Sequence, residues 1–223
     1  MTSATVLLTG GSGGIGTGIK EILQVDGWQV TCPTRDELDL SNPQSIDEYT
    51  SRVEGYTPNA LVLAAGVNAP CRIDEISFES WSQILMVNLS SVLLMLQHFC
   101  PKMKDIGGGR IVVISSSYAL VAREGRAAYS ASKAGLEALV RSAAIEYAPS
   151  NILINIVSPG FVNTELTRRN NSESQLVEIA SRIPLGRLAS PIEIAEAVRF
   201  LISPANTYMT GARLQIDGGF LLC

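Results

Sequence analysis

Seven short segments rich in apolar and β-branched residues recur along the chain, and most of them run directly into glycine, serine or another small residue. Unbroken apolar runs of this length are typical of parallel strands that are buried on both faces. The predicted strands are Thr5–Thr9, Trp28–Cys32, Leu38–Leu40, Ala60–Gly66, Arg110–Ile114, Ile152–Val157 and Arg213–Ile216. The third is very short, and the connection around it has little room for a full helix.

Helical spacing of apolar residues fills most of the intervals between these runs. Capping signals predict helix starts at Asn42 before Pro43, at Ser77, and at Ser190 before Pro191. Pro101 is expected to bend or end the long helix that Ser77 begins. The other predicted helices follow the first glycine turn to Val25, run from Tyr129 to Tyr147 and weakly cover Leu176 to Ile183.

Strands that alternate with helices predict the α/β class. We expect residues 1–223 to form a single-domain Rossmann fold, with a doubly wound, mainly parallel seven-stranded sheet and helices on both faces. The polar stretch 164–183 lacks a strong strand pattern and is predicted to be a small substrate flap.

The glycine-rich stretch after the first strand predicts a dinucleotide-binding loop. A loop without side chains approaches a pyrophosphate closely, and the helix that follows offers free N–H groups and its positive dipole end. Two registers fit, Gly11-x-Gly13-x-x-Gly16 and Thr9-Gly10-x-x-x-Gly14-x-Gly16, and a plain glycine-rich turn is the alternative. The candidate contact residues are Gly10, Ser12, Gly14, Ile15 and Gly16.

The end of the second strand indicates which dinucleotide is bound. An acidic residue there usually holds the ribose 2′-hydroxyl of NAD, whereas an arginine accommodates the 2′-phosphate of NADP. Thr34 and Arg35 stand at this place, which favours NADP, although NAD is possible. Asp36 and Glu37 follow at once, so Arg35 could instead belong to an ordinary surface ion pair.

Tyr129 and Lys133 are the candidate chemical pair. At a helical spacing of four residues they share one face, and a nearby ammonium would lower the pKa of the phenol and make it a usable acid or base. The same spacing also arises by chance in many helices. Ser115 to Ser117 place hydroxyls at the end of a central strand, and Asn88 lies mid-helix, where a local structural hydrogen bond is its alternative role.

Composition excludes several other classes of protein. Of the 223 residues, 46% are hydrophobic and 17% charged, and the net charge is −4, so no nucleic acid or anionic membrane is expected as a partner. The longest apolar runs are far shorter than a membrane span. Cys32, Cys71, Cys100 and Cys223 have no metal-ligand spacing, His98 is the only histidine, and no signal peptide is recognisable, so we expect no metal and a cytoplasmic location.

Taken together, these stretches resemble the short-chain dehydrogenase/reductase family, in its single-domain branch and close to the 3-oxoacyl reductases. The matching motifs are Thr9-Gly10-x-x-x-Gly14-x-Gly16, Asp39-Leu40, Ala64-Ala65-Gly66, Asn88, Ser116, Tyr129-x-x-x-Lys133, Pro159-Gly160 and Asp217-Gly218-Gly219. One departure is visible at Leu63-Ala64-Ala65-Gly66, because the family usually carries asparagine ahead of Ala-Gly, and its loss puts the local stability of this strand in doubt more than the chemistry.

The resemblance implies roles for these residues. Tyr129 would exchange a proton with a carbonyl or alcohol oxygen while the nicotinamide exchanges the hydride, and Lys133 would lower the tyrosine pKa and hold the nicotinamide ribose. Ser116 would orient the substrate oxygen, and Asn88 would hold a proton-relay water. The other implied cofactor contacts are Asp39 and Leu40 at the adenine, Val162 and Thr164 at the carboxamide, and Ala65, Gly66, Pro159 and Gly160.

Three functions compete at this stage. The first is an NAD(P)-dependent oxidoreductase that interconverts a small-molecule carbonyl and a secondary alcohol; the second is a cofactor-binding redox sensor or structural subunit without turnover. A sugar-nucleotide epimerase or dehydratase is the third, and it would need further carboxyl-terminal substrate structure. Arg123, Arg168 and Arg169 would meet an anionic substrate or be solvated surface charges, and family members commonly form homodimers or homotetramers, so we expect a homo-oligomer.

Overall fold

The computed structural model describes residues 4–222, so Cys223 lies outside the described residues. Its sheet contains β1 (Thr5–Thr9), β2 (Gln29–Thr31), β3 (Ala60–Leu63), β4 (Gly109–Ile114), β5 (Ile152–Pro159) and β6 (Arg213–Ile216). The order across the sheet is β2-β1-β3-β4-β5-β6, and every neighbouring pair is parallel. The predicted α/β class and parallel sheet are confirmed, with six strands rather than seven.

The missing strand is the predicted Leu38–Leu40. Its backbone groups are used by turns: Leu38 N donates to Thr34 O at 3.0 Å, and Asp39 N donates to Ser45 Oγ at 3.0 Å. Asp39 Oδ1 in turn accepts from the backbone N–H and the hydroxyl of Ser41. With these groups satisfied locally, the segment has no ladder to offer a neighbouring strand.

Helices cover both faces of the sheet. They are α1 (Gly14–Val25), α2 (Pro43–Arg52), α3 (Phe78–Leu85), α4 (Ser91–Asp105), α5 (Ala127–Tyr147), α6 (Glu165–Arg169), α7 (Glu173–Ser181) and α8 (Pro191–Ile202). One core joins the sheet to α2, α4 and α5 around Phe99 and Val140, and the other joins it to α1 and α8 around Ile19 and Val198. This is the predicted doubly wound arrangement.

The long helix begins after Ser77 as predicted, but Pro101 does not end it. One turn of π-helix, Met86–Ser90, joins α3 to α4, and α4 continues to Asp105. An interior proline costs roughly 3 kcal/mol, and fully buried packing on both sides of it, at Phe99 and Met103, offsets that cost.

Within residues 4–222, this helical stretch, Phe78–Asp105, is the one segment long and apolar enough to cross a membrane. Half of its most apolar window is buried inside the protein. Met95, Phe99 and Met103 are fully buried against the sheet. The stretch therefore has the packing of a core helix.

Candidate active site

Ser116 and Tyr129 meet in a cleft at the carboxyl ends of the central strands. Ser116 follows β4 by two residues, and Tyr129 lies in the first turn of α5. The cleft has a volume of about 150 Å³. The predicted site residues that line it are Ile15, Gly66, Ser116, Tyr129, Lys133, Pro159, Gly160, Val162 and Thr164.

The remaining predicted site residues lie outside the lining of this cleft. They are Gly10, Ser12, Gly14, Gly16, Thr34, Arg35, Asp39, Leu40, Ala65 and Asn88. Most of them follow the ends of β1 and β2, which are neighbours at one side of the sheet. A dinucleotide is much longer than this cleft, so contact residues beyond the cleft, at the ends of β1 and β2, fit an extended ligand.

Lys133 is almost fully buried, at 3% exposure. Its Nζ donates to Ile114 O at 2.9 Å, which anchors α5 to the end of β4. Burial lowers the pKa of Lys133 to about 8, and the negative charge of Glu137, one helical turn further on, opposes this shift. A lysine in this state titrates close to the pH range in which proton-transfer groups operate.

The pKa of Tyr129 is raised rather than lowered, because burial disfavours the phenolate. A hydrogen bond with the Ser116 side chain and the positive charge of Arg126 act in the opposite direction. Lys133 Nζ lies 5.8 Å from the centre of the tyrosine ring and bonds Ile114 instead. Burial outweighs both effects, so the net direction is opposite to the expected lowering of the Tyr129 pKa.

Asn88 sits in the π-helical turn, and its amide is fully engaged. Oδ1 accepts from Val67 N at 2.8 Å, while Nδ2 donates to Val67 O at 2.9 Å and to Ser132 Oγ at 3.0 Å. These bonds tie the segment after β3 to α5, beside Tyr129 and Lys133. They also hold the segment that follows Ala64-Ala65-Gly66, where the family's usual asparagine is missing.

The glycine loop has the shape that a phosphate cradle needs. Gly10 adopts φ +71°, and a Cβ there would lie 2.7 Å from the Ala65 backbone, so only glycine fits. A Cβ on Gly14 would lie 2.5 Å from Thr164 Cγ2. No side chain caps α1 at Gly13, which leaves the first N–H groups of the helix for an anion. The loop therefore fits a dinucleotide pyrophosphate.

Arg35 follows the end of β2 by four residues, and its side chain retains 76% of its accessible surface. The nearby carboxylate of Glu37 accepts from Thr34 N and Thr34 Oγ1 rather than from Arg35. The Asp39 carboxylate lies closest, with Oδ2 at 3.7 Å from Arg35 Nη2. Its other oxygen, Oδ1, accepts a hydrogen bond from the Ser41 hydroxyl. Arg35 therefore keeps most of its hydrogen-bonding capacity.

Two polar connections join the last strand to the site. Arg213 Nε donates to the buried Glu137 at 2.9 Å, and Ser115 Oγ donates to the same carboxylate oxygen at 2.7 Å. Gln215 Nε2 donates to Ser117 Oγ at 2.7 Å. Ser115 and Ser117, the neighbours of Ser116, thus have structural bonds of their own.

Sequence reasoning missed Arg126, which lines the cleft and is 6% exposed. Its position three residues before Tyr129 was the only available signal. The three arginines singled out for an anion do not line this cleft: Arg168 Nε donates to Asn163 Oδ1, Arg169 pairs with Glu165, and Arg123 Nη1 donates to Asn171 Oδ1 at 3.4 Å. Within residues 4–222, no group of three or more His, Cys, Asp and Glu side chains is placed to hold a metal ion.

Comparison with known proteins identifies the family. Residues 12–221 match the family model described as enoyl-(acyl carrier protein) reductase. A 3-oxoacyl-[acyl-carrier-protein] reductase of Vibrio cholerae is 32% identical over 97% of this chain and 96% of its own length. The chain belongs to the short-chain dehydrogenase/reductase family.

Other members of the short-chain dehydrogenase/reductase family differ in what they act on. A cis-4-hydroxycyclohexanecarboxylate dehydrogenase of Sinomonas cyclohexanicum is 38% identical over 82% of this chain and 74% of its own length. A candidate NAD(P)-dependent gluconate 5-dehydrogenase of Beutenbergia cavernae, solved with NADP at low occupancy, superimposes with a TM-score of 0.94 at 30% identity, covering 99% of this chain and 97% of the other.

These relatives establish the class of reaction. The protein is an NAD(P)-dependent oxidoreductase that interconverts a carbonyl and an alcohol of a small molecule. Since the relatives are reductases and dehydrogenases, the alternative of a cofactor-binding protein without turnover is not favoured.

Proposed function

We propose that Tyr129 is the general acid and base of this oxidoreductase and that Ser116 holds the substrate oxygen beside it. The carrying observation is that both side chains line one small cleft at the carboxyl end of β4, where Lys133 is also buried. In the reducing direction Tyr129 donates its proton to the carbonyl oxygen, and the raised pKa keeps the phenol protonated for this step.

The supporting residues act through position. Lys133, buried in the same cleft and bonded to Ile114 O, would hold the ribose of the nicotinamide. Asn88 fixes the backbone at Val67 and the start of α5 at Ser132, which holds the cleft walls together. Bound NADPH supplies the hydride. We infer that 164–183, which contains α6 and α7, is the flap that covers the substrate.

The cofactor of this proposal is NADP. Gly10, Ser12, Gly14, Ile15 and Gly16 would hold its pyrophosphate, and Pro159, Gly160, Val162 and Thr164 its nicotinamide. Thr34 and Arg35 would meet the 2′-phosphate, and Asp39, Leu40, Ala65 and Gly66 the adenosine. The test is a titration with NADPH and NADH, followed at 340 nm with ketones, oxo acids and 3-oxoacyl thioesters. Failure to consume NADPH with every member of the panel, despite tight binding, would contradict the proposal.

Arg35→Ala should raise the Kd for NADPH about tenfold, because a charge-assisted hydrogen bond to the phosphate is lost. The Kd for NADH should change by less than about twofold, since NADH has no 2′-phosphate. Fluorescence titration measures both constants. Arg141→Ala, an exposed arginine of α5, is the matched control. Equal losses for the two cofactors would refute the phosphate contact.

We propose that the protein is a homo-oligomer that assembles through the helices carrying Asn88 and Tyr129. Large apolar side chains are exposed on these helices: Phe78 at 82%, Leu93 at 41% and Ile145 at 77%. Light scattering at micromolar concentration should give a mass two or four times 23.8 kDa. Ile145→Glu should lower this mass, because a charge in an apolar interface is costly. A monomeric wild type would contradict this prediction.

A cytoplasmic location completes the proposal. Cys32, Cys71 and Cys100 are free thiols. Unpaired cysteines are typical of proteins in a reducing compartment.

A further inference from the structure

Arg126 is a buried cation whose bonding is incomplete. It lies three residues before Tyr129, directly ahead of α5, and lines the same cleft at 6% exposure. Its buried Nη1 has no hydrogen-bond partner within residues 4–222. Buried guanidinium donors are normally satisfied, because an unpaired one carries the full cost of desolvation.

No carboxylate of residues 4–222 forms an ion pair with Arg126. The charged or ionisable groups that face it are Tyr118, Tyr129 and a second cation, Arg123. Burial lowers the pKa of Arg126, but a guanidinium stays charged at any pH the protein survives. Arg213, the other largely buried arginine beside the site, is instead matched by Glu137 and Ser158. Unlike Arg213, Arg126 therefore has no carboxylate within residues 4–222 to neutralise its charge.

The shape of the cleft limits which anion fits. A planar guanidinium fork matches the two oxygens of a carboxylate. Arg126, Ser116 and Tyr129 line one cleft of about 150 Å³. A small molecule that places its carbonyl at Ser116 and Tyr129 can therefore bring a carboxylate to Arg126.

We propose that Arg126 binds the carboxylate of the substrate, and that the substrate is a small oxo acid or the corresponding hydroxy acid. This inference rests on the proposed function, in which Tyr129 and Ser116 receive the ketone oxygen. During reduction the ketone carbon gains the hydride of NADPH and its oxygen gains the proton of Tyr129, while the carboxylate is unchanged. An uncharged 3-oxoacyl thioester offers no anion at this position.

The test compares acids with their methyl esters. Acetoacetate and 4-oxopentanoate keep the ketone of their methyl esters and carry a carboxylate in place of the uncharged ester group. Arg126→Gln should lower kcat/KM for both acids by about 10- to 100-fold, the value of a hydrogen bond to a charged group, and change kcat/KM for the esters by less than about threefold. Arg126→Lys should recover part of the loss, because it restores the charge without the fork.

Arg141→Gln, an exposed arginine of α5, is the matched control. It should leave kcat/KM unchanged for the acids and for the esters. Equal losses of Arg126→Gln on acids and esters would overturn the proposal, since they would reveal a purely structural role. Wild-type kcat/KM values that favour the esters over the acids would overturn it as well.

A binding measurement separates this inference from the proposed function. Isothermal titration with butanoate, which has no ketone, should show binding to the wild-type protein in the presence of NADP and a loss of about tenfold or more in Arg126→Gln. Butanamide should bind weakly to both. If the wild type reduces no ketone but binds butanoate through Arg126, the proposed function fails and the anion site stands. Butanoate binding that is equal in both proteins would overturn the site.

Discussion

Tyr129→Phe should lower kcat by about a thousandfold and leave the Kd for NADPH nearly unchanged. A positioned general acid contributes roughly 10²- to 10⁴-fold, and the substitution removes only the hydroxyl. The half-buried ring still packs edge to face on Tyr118, with centroids 6.3 Å apart, so the cleft keeps its shape. Single-turnover reduction at 340 nm measures the chemical step, and fluorescence titration measures cofactor binding.

Tyr118→Phe is the matched control, because Tyr118 supplies the second phenol in the same cleft. Its hydroxyl lies 3.5 Å from Arg123 Nη1 and has no assigned part in proton transfer. We expect a loss of less than about tenfold, well under the contribution of a general acid. A larger loss in Tyr118→Phe than in Tyr129→Phe would assign the proton donor to Tyr118.

Replacing Lys133 by methionine should change the pH dependence of stability. The pKa of Lys133 is about 8 in the folded protein, against 10.5 for a free lysine. Between these values the unfolded chain binds more protons, so the free energy of unfolding of the wild type rises with pH. The burial of protonated Lys133 lowers the free energy of unfolding by its full amount below pH 8. This effect disappears as the pH approaches 10.5, the pKa of the unfolded chain. Lys133→Met has no such dependence.

Denaturant unfolding at pH 7 and pH 9.5 provides the measurement. The difference in unfolding free energy, Lys133→Met minus wild type, should fall by about 2 kcal/mol between the two pH values. Loss of the bond to Ile114 O affects the variant at every pH and adds only a constant offset. A difference that does not change with pH would show that Lys133 titrates normally.

Most of the fold follows from local patterns in the sequence. Buried runs such as Ile152–Val157 are unambiguous, and their order along the chain dictates a parallel sheet with helical crossovers. The errors occurred where tertiary contacts or short-range side-chain bonds decide. Ser45 accepts the backbone N–H of Asp39, and the Asp39 carboxylate bonds Ser41, so Leu38–Leu40 forms turns and not a strand. Core packing carries the long helix past Pro101.

The site was predictable where strand ends and helical spacing bring residues together. Ser116, Tyr129 and Lys133 share a cleft because β4 ends beside the start of α5. What could not be predicted is the electrostatics, which depends on burial. The sequence does not reveal that Lys133 bonds a carbonyl, or that burial raises the pKa of the Tyr129 phenol.

The bonds from β6 bear on how the molecule becomes active. Arg213 reaches Glu137 across 76 residues of chain, and Gln215 reaches Ser117 across 98. Contacts of such sequence separation are slow to form, because chain entropy is lost before they stabilise anything. We expect newly folding chains to form the sheet and helices first. The segment Ser115 to Ser117 becomes rigid only when β6 docks, so enzyme activity should appear late in folding.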